Sequence, residues 1–207
     1  MVTGTYFLML RLLTIVFVFL PSVAAYASVD SCLAQLRPHT TIGEKHLLEI
    51  TDRWQDRISV DGTERDIILR NTGYADSAGD ISSSIKVEEL VQCISDDSIQ
   101  IRLIRIRGTE GTKDESIYLF TFSKKEIVAR TLIAALQATC DNTFLRGCSM
   151  EDDGSIRVRQ LRHDFSCDTD EFQKTVPLPG LVVRLRQDGT ITEVIEGDGD
   201  TSTPDSS

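Results

Sequence analysis

The stretch from Ser98 to Cys140 constrains this chain most. Ile99, Ile101 and Leu103 alternate with Gln100 and Arg102, the period of a half-buried strand. The phase slips at Leu103-Ile104, because Ile104 and Ile106 are apolar while Arg105 and Arg107 are polar. A β-bulge at that step would keep the aliphatic residues on one face and Arg102, Arg105 and Arg107 on the other. Ser116 to Phe122 has no polar face, since Tyr118, Phe120 and Phe122 alternate with Ile117 and Leu119. It reads as a central strand covered on both sides. Ser123 is then expected to start a helix. Glu126 lies at capping-box spacing, and Ile127, Val128, Thr131, Leu132, Ala135 and Leu136 form one apolar stripe ending near Cys140.

The N-terminal region carries a different kind of pattern. Leu12 to Leu20 is an apolar run preceded by Arg11, broken by Pro21 and followed by Ala25-Tyr26-Ala27. That is the three-part pattern of a secretory leader, so residues 1–27 are read as a signal peptide cleaved after Ala27. An uncleaved anchor would need the stretch counted from Tyr6, but Arg11 interrupts it, and a membrane span takes roughly 20 continuous apolar residues. The whole chain has a formal net charge of −10. This argues against a general nucleic-acid or anionic-membrane binder. Residues 28–196 read as one domain, and the Gly-, Asp- and Ser-rich tail 197–207 as a disordered acidic segment.

The remaining elements follow from local pattern. Ser31 to Leu36 reads as a short helix stopped by Arg37-Pro38, and residues 41–56 as a helix giving way to a strand. Asp61-Gly62 is a hairpin signal between Arg57–Val60 and Arg65–Leu69, which would set Arg57 opposite Asp66. Ile85 to Ile94 reads as a helix, with Val87, Leu90, Val91 and Ile94 on one side. Ile156 to Arg162 alternates as a strand after an Asp152-Asp153-Gly154 turn. Leu181–Arg186 and Thr190–Ile195 flank Asp188-Gly189, which in a two-residue loop sets Arg184 opposite Glu193. The expected fold is α+β: one twisted, mostly antiparallel sheet of about six strands, with two to four helices on one side and disulfide staples.

The five cysteines fall after the leader and read as disulfide material in an exported chain. Cys140 and Cys148 bracket a short loop and form the first expected pair. Cys32 and Cys167 form the second, leaving Cys93 as a buried thiol.

Candidate chemistry is sparse. His163-Asp164-Phe165-Ser166-Cys167 places catalytic residue types side by side, but strand neighbours point to opposite faces and do not converge. His39, His46 and His163 show no metal-ligand spacing. Asp168, Asp170 and Glu171 lack the glycine and distant glutamate of a calcium loop, and Asp198, Asp200 and Ser202 run out of sequence before its twelfth position. Gly108 to Lys113 leads from strand to strand, which is not the context of a phosphate-binding loop. No metal or cofactor is implied. The arginines are the exception. Arg102, Arg105 and Arg107, then Arg157, Arg159 and Arg162, then Arg184 and Arg186 recur at alternating or near-alternating strand positions. On neighbouring strands they would form a guanidinium-rich sheet face suited to carboxylates or phosphates.

The sequence therefore points to a secreted or periplasmic, non-enzymatic binding or envelope-accessory protein. Its expected partner is a protein or an envelope polymer that is anionic and is not nucleic acid, and no membrane span remains after leader cleavage. The alternatives are a small exported hydrolase with a site assembled around His163, and a secreted inhibitor or effector.

Overall fold

The computed structural model describes residues 28–40, 57–75, 79–95, 99–108, 114–169 and 171–196. Residues 1–27, expected to be a leader, and residues 41–56, 109–113 and 197–207 lie outside the described residues.

Among the described residues the architecture is one antiparallel sheet of nine strands with two helices and two disulfides. Helix α1 (Val29–Thr40) comes first, then β1 (Ile58–Ser59) and helix α2 (Gly62–Asn71). The other strands are β2 (Lys86–Ile94), β3 (Ile99–Arg107), β4 (Glu115–Ser123), β5 (Glu126–Ala138), β6 (Asn142–Met150), β7 (Ile156–Phe165), β8 (Phe172–Leu185) and β9 (Ile191–Ile195). Spatial order equals chain order from β1 to β9. The fold is thus sheet-dominated, with nine strands in place of about six.

Strand β3 sits between two cores. Ile99, Ile101 and Leu103 belong to one cluster, together with Cys32, Leu33 and Leu36 of α1. Ile104 and Ile106 belong to the other, with Ile68 and Leu69 of α2 and with Phe120 and Phe122 of β4. The helices therefore cover opposite faces of the sheet, not one. Full burial of an Ile or Leu side chain contributes about 1.5–3 kcal/mol, so apolar residues on both faces of β3 stabilise more than any one-sided arrangement. The strand needs no bulge, and it pairs with β4 without a break from Ile99↔Ser123 to Arg107↔Glu115. The irregularity lies in β2, where Leu90 is the extra residue opposite the Leu103–Ile104 step.

Three expected elements are corrected. The segment after Ser123 is not a helix. Lys124 and Lys125 have φ of 50° and 72°, the two positive values of a tight I′ hairpin turn, and β5 returns along β4. Ile85 to Ile94 is also no helix but strand β2. Conversely, Asp61-Gly62 opens a helix instead of a hairpin. Asp61 is the extended residue before α2, and Glu64 and Arg70 place acid and base at the ends that the helix dipole favours. Thr72 closes the helix, donating its N–H and its hydroxyl to the Ile68 carbonyl at 3.0 and 2.9 Å. Arg57 consequently meets Glu88 at 3.7 Å, while Asp66 meets Arg65 at 3.0 Å. Helix α1 is as expected at Ser31–Leu36 but continues through Pro38 to Thr40.

The sheet curls back on itself. Extra residues at Val128 and Ile133 in β5 disturb its register with β4, and further shifts occur between β7 and β8. Such bulges add local twist and bend the bulged strand. Cys148, Met150, Ile156, Val158 and Val183 from β6–β8 thereby join the same core as β2–β5 and α1. The β8–β9 turn reaches β3 and β4: a Cβ on Gly189 would lie 3.1 Å from Ile99, and the Gly189 carbonyl accepts the Thr121 hydroxyl at 2.7 Å. This turn has three residues closed by Arg186 and Thr190, with Gly189 at φ 82°. The expected two-residue loop is therefore absent, Glu193 falls opposite Val183, and Arg184 approaches Asp153 at 3.8 Å.

Candidate binding surface

The arginines do not make one face. Strands β3 and β7, which carry most of them, are separated by three other strands. Arg102 and Arg105 point to opposite sides of β3, and both are buried. Arg102 is held by Glu89 and Glu64, and its guanidinium lies 4.9 Å from the Phe122 ring centre. Arg105 is fully buried, with Nε 2.7 Å from Glu115 Oε1 and Nη2 donating to Oε2 at 2.8 Å. Arg107 donates to Glu88 at 3.1 Å, and Glu88 also faces Arg105 at 3.4 Å. On the other half of the sheet, Arg157 pairs with Glu151 and Glu196, and Arg162 with Asp164. Arg159 and Arg186 are exposed. Acids on adjacent strands or turns thus neutralise most of the set. Alternation in one strand does not reveal the charges of the strand beside it, nor which face a helix covers.

The cysteines pair as Cys32–Cys93 and Cys140–Cys167, with Cα separations of 5.5 and 5.2 Å. Both expected pairings are corrected, and Cys148 rather than Cys93 is the buried thiol. The reason is strand geometry. Cys148 lies well along β6, and about 3.3 Å of rise per residue carries it away from Cys140 at the turn. Cys167 follows the end of β7, next to the start of β6, because Asn142 pairs with Asp164. Two disulfides fit an oxidising compartment. Among the described residues, no helix is long and apolar enough to cross a membrane.

His163 shares a hydrogen bond between Nδ1 and the Thr175 hydroxyl at 2.8 Å and packs edge-on to Phe172. Its neighbour Asp164 faces Arg162 and Lys174 instead. Ser166 donates its N–H to the Glu171 carbonyl, closing the loop between β7 and β8. The five adjacent residues 163–167 therefore act separately. Among the described residues, no group of three or more His, Cys, Asp and Glu is placed to hold a metal.

What the structure does assemble is an open three-stranded ribbon. Over residues 142–146 of β6, 160–165 of β7 and 172–179 of β8, no residue is buried. The ribbon's large apolar side chains divide between the two faces: Leu161 and Phe165, with Phe172 opposite Phe165, lie on one together with Leu145, which packs against the core, and Phe144 and Leu178 lie on the other. Phe165 and Phe172 face each other across the strand pair at 5.9 Å, and Phe172 is 57% exposed. The Cys140–Cys167 bond clamps the ribbon's end. Arg146, Arg162 and Lys174 share the second face with Asp164, Arg159 lies just before the β7 stretch on the Leu161 face, and the acids Asp168 and Glu171 sit at the clamped end. β9 pairs with Leu181–Leu185, so among the described residues nothing pairs with the outer edge of β8 from Phe172 to Pro179. Pro177 and Pro179 on this edge lack the N–H that an added strand would need, which blunts strand addition. Sequence reading missed this surface. Its visible signal is a pair of phenylalanines bracketing a polar, cysteine-containing loop.

No family model matches the chain, and no curated protein or solved structure matches it either.

Proposed function

We propose that this chain is an exported, non-enzymatic binding protein that docks an acidic, partly apolar protein segment on the β6–β8 ribbon. The observation that carries this reading is the one-sided patch of Phe172, 57% exposed, with half-buried Phe165 and Leu161 beside it on the same face. Contiguous exposed apolar surface rimmed by polar groups marks interaction sites. Arg159, exposed on the same face in a chain of net charge −10, supports an acidic partner. The proline-edged β8 favours docking on the face over strand addition. The leader pattern and the disulfides support export.

The test is site-specific photocrosslinking in the producing cell, with a benzophenone amino acid at Phe165, Phe172 or Leu161 and a control at Ile67 on α2. The expected result is one discrete protein adduct from the ribbon positions and none from Ile67. The purified partner should then bind at least tenfold more weakly to Arg159→Glu/Phe172→Asp. Absence of an adduct, or equal adducts from Ile67, would refute the reading.

A further inference from the structure

A second site lies on the opposite side of the molecule from α1, where α2 crosses the sheet. A cleft of about 470 Å³ opens there, within the size range of small-ligand sites. Thr63, Glu64 and Ile67 of α2 form one wall. Gln92, Gln100 and Arg102 of β2 and β3 form the floor, with Phe122 beneath and Lys125 of the hairpin turn at the rim.

The chemistry of this lining is unusual for a helix packed on a sheet. Gln92 is exposed and Gln100 half-buried, and neither carboxamide has a hydrogen-bond partner among the described residues. Each offers two donors and an acceptor. Arg102 and Glu64 meet across the cleft, a donor and an acceptor side by side. The charges cancel: Arg102 and Lys125 are matched by Glu64 and by Glu89 behind Arg102. Neither an anion nor a cation gains from entering. Ile67, 43% exposed, adds an apolar patch.

We infer that the cleft between α2 and the sheet binds a neutral glycan through the Gln92 and Gln100 carboxamides and the Arg102–Glu64 pair. A sugar hydroxyl donates and accepts at once, which matches a carboxamide or an Arg–Glu pair better than a charged group does. The ring's C–H face rests on Ile67. The Phe122 ring is covered by the Arg102 guanidinium, so aromatic stacking plays no part.

The test is an NMR titration of the labelled, disulfide-intact protein. The probes are glucose, galactose, mannose and chitobiose, with inorganic phosphate and triglycine as comparison ligands. The expected result is saturable shifts of the Gln92 and Gln100 side-chain amides and of backbone signals at 63–67 and 100–102 with at least one sugar. Gln92→Ala/Gln100→Ala should weaken that binding at least tenfold and leave the thermal midpoint unchanged. Gln92→Glu/Gln100→Glu, which keeps size but removes the donors, should weaken it as well. No saturable shift with any sugar, unaltered binding in both double variants, or saturation by phosphate or triglycine alone would overturn the inference. The ribbon variant Arg159→Glu/Phe172→Asp should bind the sugar like the parent, which separates this site from the protein-docking surface.

Discussion

The hydroxyl of Thr121 in β4 donates to the carbonyl of Gly189, 2.7 Å away and 68 residues later in the chain. The same oxygen accepts the Ala129 N–H at 3.0 Å, so one side chain ties the β4–β5 pair to the β8–β9 turn. The contact is buried, and a carbonyl left there without a donor costs about 1–3 kcal/mol. Thr121→Val should therefore lower stability by that amount, read from the urea midpoint at unchanged slope. Gly189→Ala should lower it by about 1–3 kcal/mol through strain, because φ is 82° and the new Cβ would press on Ile99. If both variants unfold at the parental midpoint, this contact does not hold the curl closed.

Arg105 tests the buried ion network. It has no exposed surface, and Glu115 holds it by one hydrogen bond from Nη2 to Oε2, with Oε1 in ion-pair contact with Nε. Removing one partner of a buried pair leaves an uncompensated charge, at a cost of about 3–5 kcal/mol. Arg105→Met should show that loss in urea unfolding. Arg105→Met/Glu115→Leu should recover most of it, since apolar replacement of both partners restores packing without the stranded charge. A double variant no more stable than the single one would mean that Glu88, 3.4 Å from Arg105, is the dominant partner.

The β4–β5 turn is built from residues poorly suited to it. Lys124 and Lys125 both take positive φ, where side-chained residues are disfavoured by about 1–2 kcal/mol each. Lys124→Asn/Lys125→Gly supplies the favoured I′ pair. It should raise stability by about 1 kcal/mol, once the extra chain entropy of glycine is set against the relieved strain. A fall in the melting midpoint would show that a lysine there makes a compensating contact.

The two disulfides should respond differently to reductant. Cys32 and Cys93 are buried, whereas Cys140 and Cys167 are both exposed. Exchange needs access of a thiolate to sulfur. Limiting reductant followed by alkylation and mass spectrometry should label Cys140 and Cys167 first. Chain entropy for separations of 61 and 27 residues gives about 4.3 and about 3.5 kcal/mol as the losses from replacing each pair by serine. Earlier labelling of Cys32 and Cys93 would contradict the burial order.

Much of this fold was legible wherever strand periodicity was undisturbed, and was misread wherever a bulge broke it. In β2 the extra residue Leu90 turns an alternating pattern into Val87, Leu90, Val91, Ile94, the i, i+3, i+4, i+7 series of a helix. In β5 two extra residues, Val128 and Ile133, do the same. The turn sequence Ser123-Lys124-Lys125-Glu126 then imitates a capping box. In β3 the opposite error arises: a regular strand with two covered faces looks bulged if only one face is assumed to be apolar. The arginine pattern was visible in the sequence, but its meaning depended on Glu88 and Glu89 lying on the neighbouring strand. The ribbon depended on where β9 stops pairing, which no local pattern encodes.

Alkaline pH should destabilise the protein through its half-buried tyrosines Tyr74 and Tyr118. Burial, with Tyr74 nearby as the second cause, pushes Tyr118 up from 10.0 to about 12. Tyr74 is raised mainly by burial too, against a hydrogen bond with Ser116 that acts the other way. The neutral phenol is thus favoured in the folded state. Stability from Tyr118 is complete below pH 10 and is lost as pH rises from there to about 12. The urea midpoint should fall between pH 10 and 12 in the parent, and Tyr118→Phe should flatten that slope. At the acid end Asp188 behaves inversely: hydrogen bonds from the Thr190 hydroxyl and N–H hold its carboxyl below 3.8. That contribution is present above pH 3.8 and fades as the pH drops further. An alkaline slope unchanged by Tyr118→Phe would assign the effect to Tyr74.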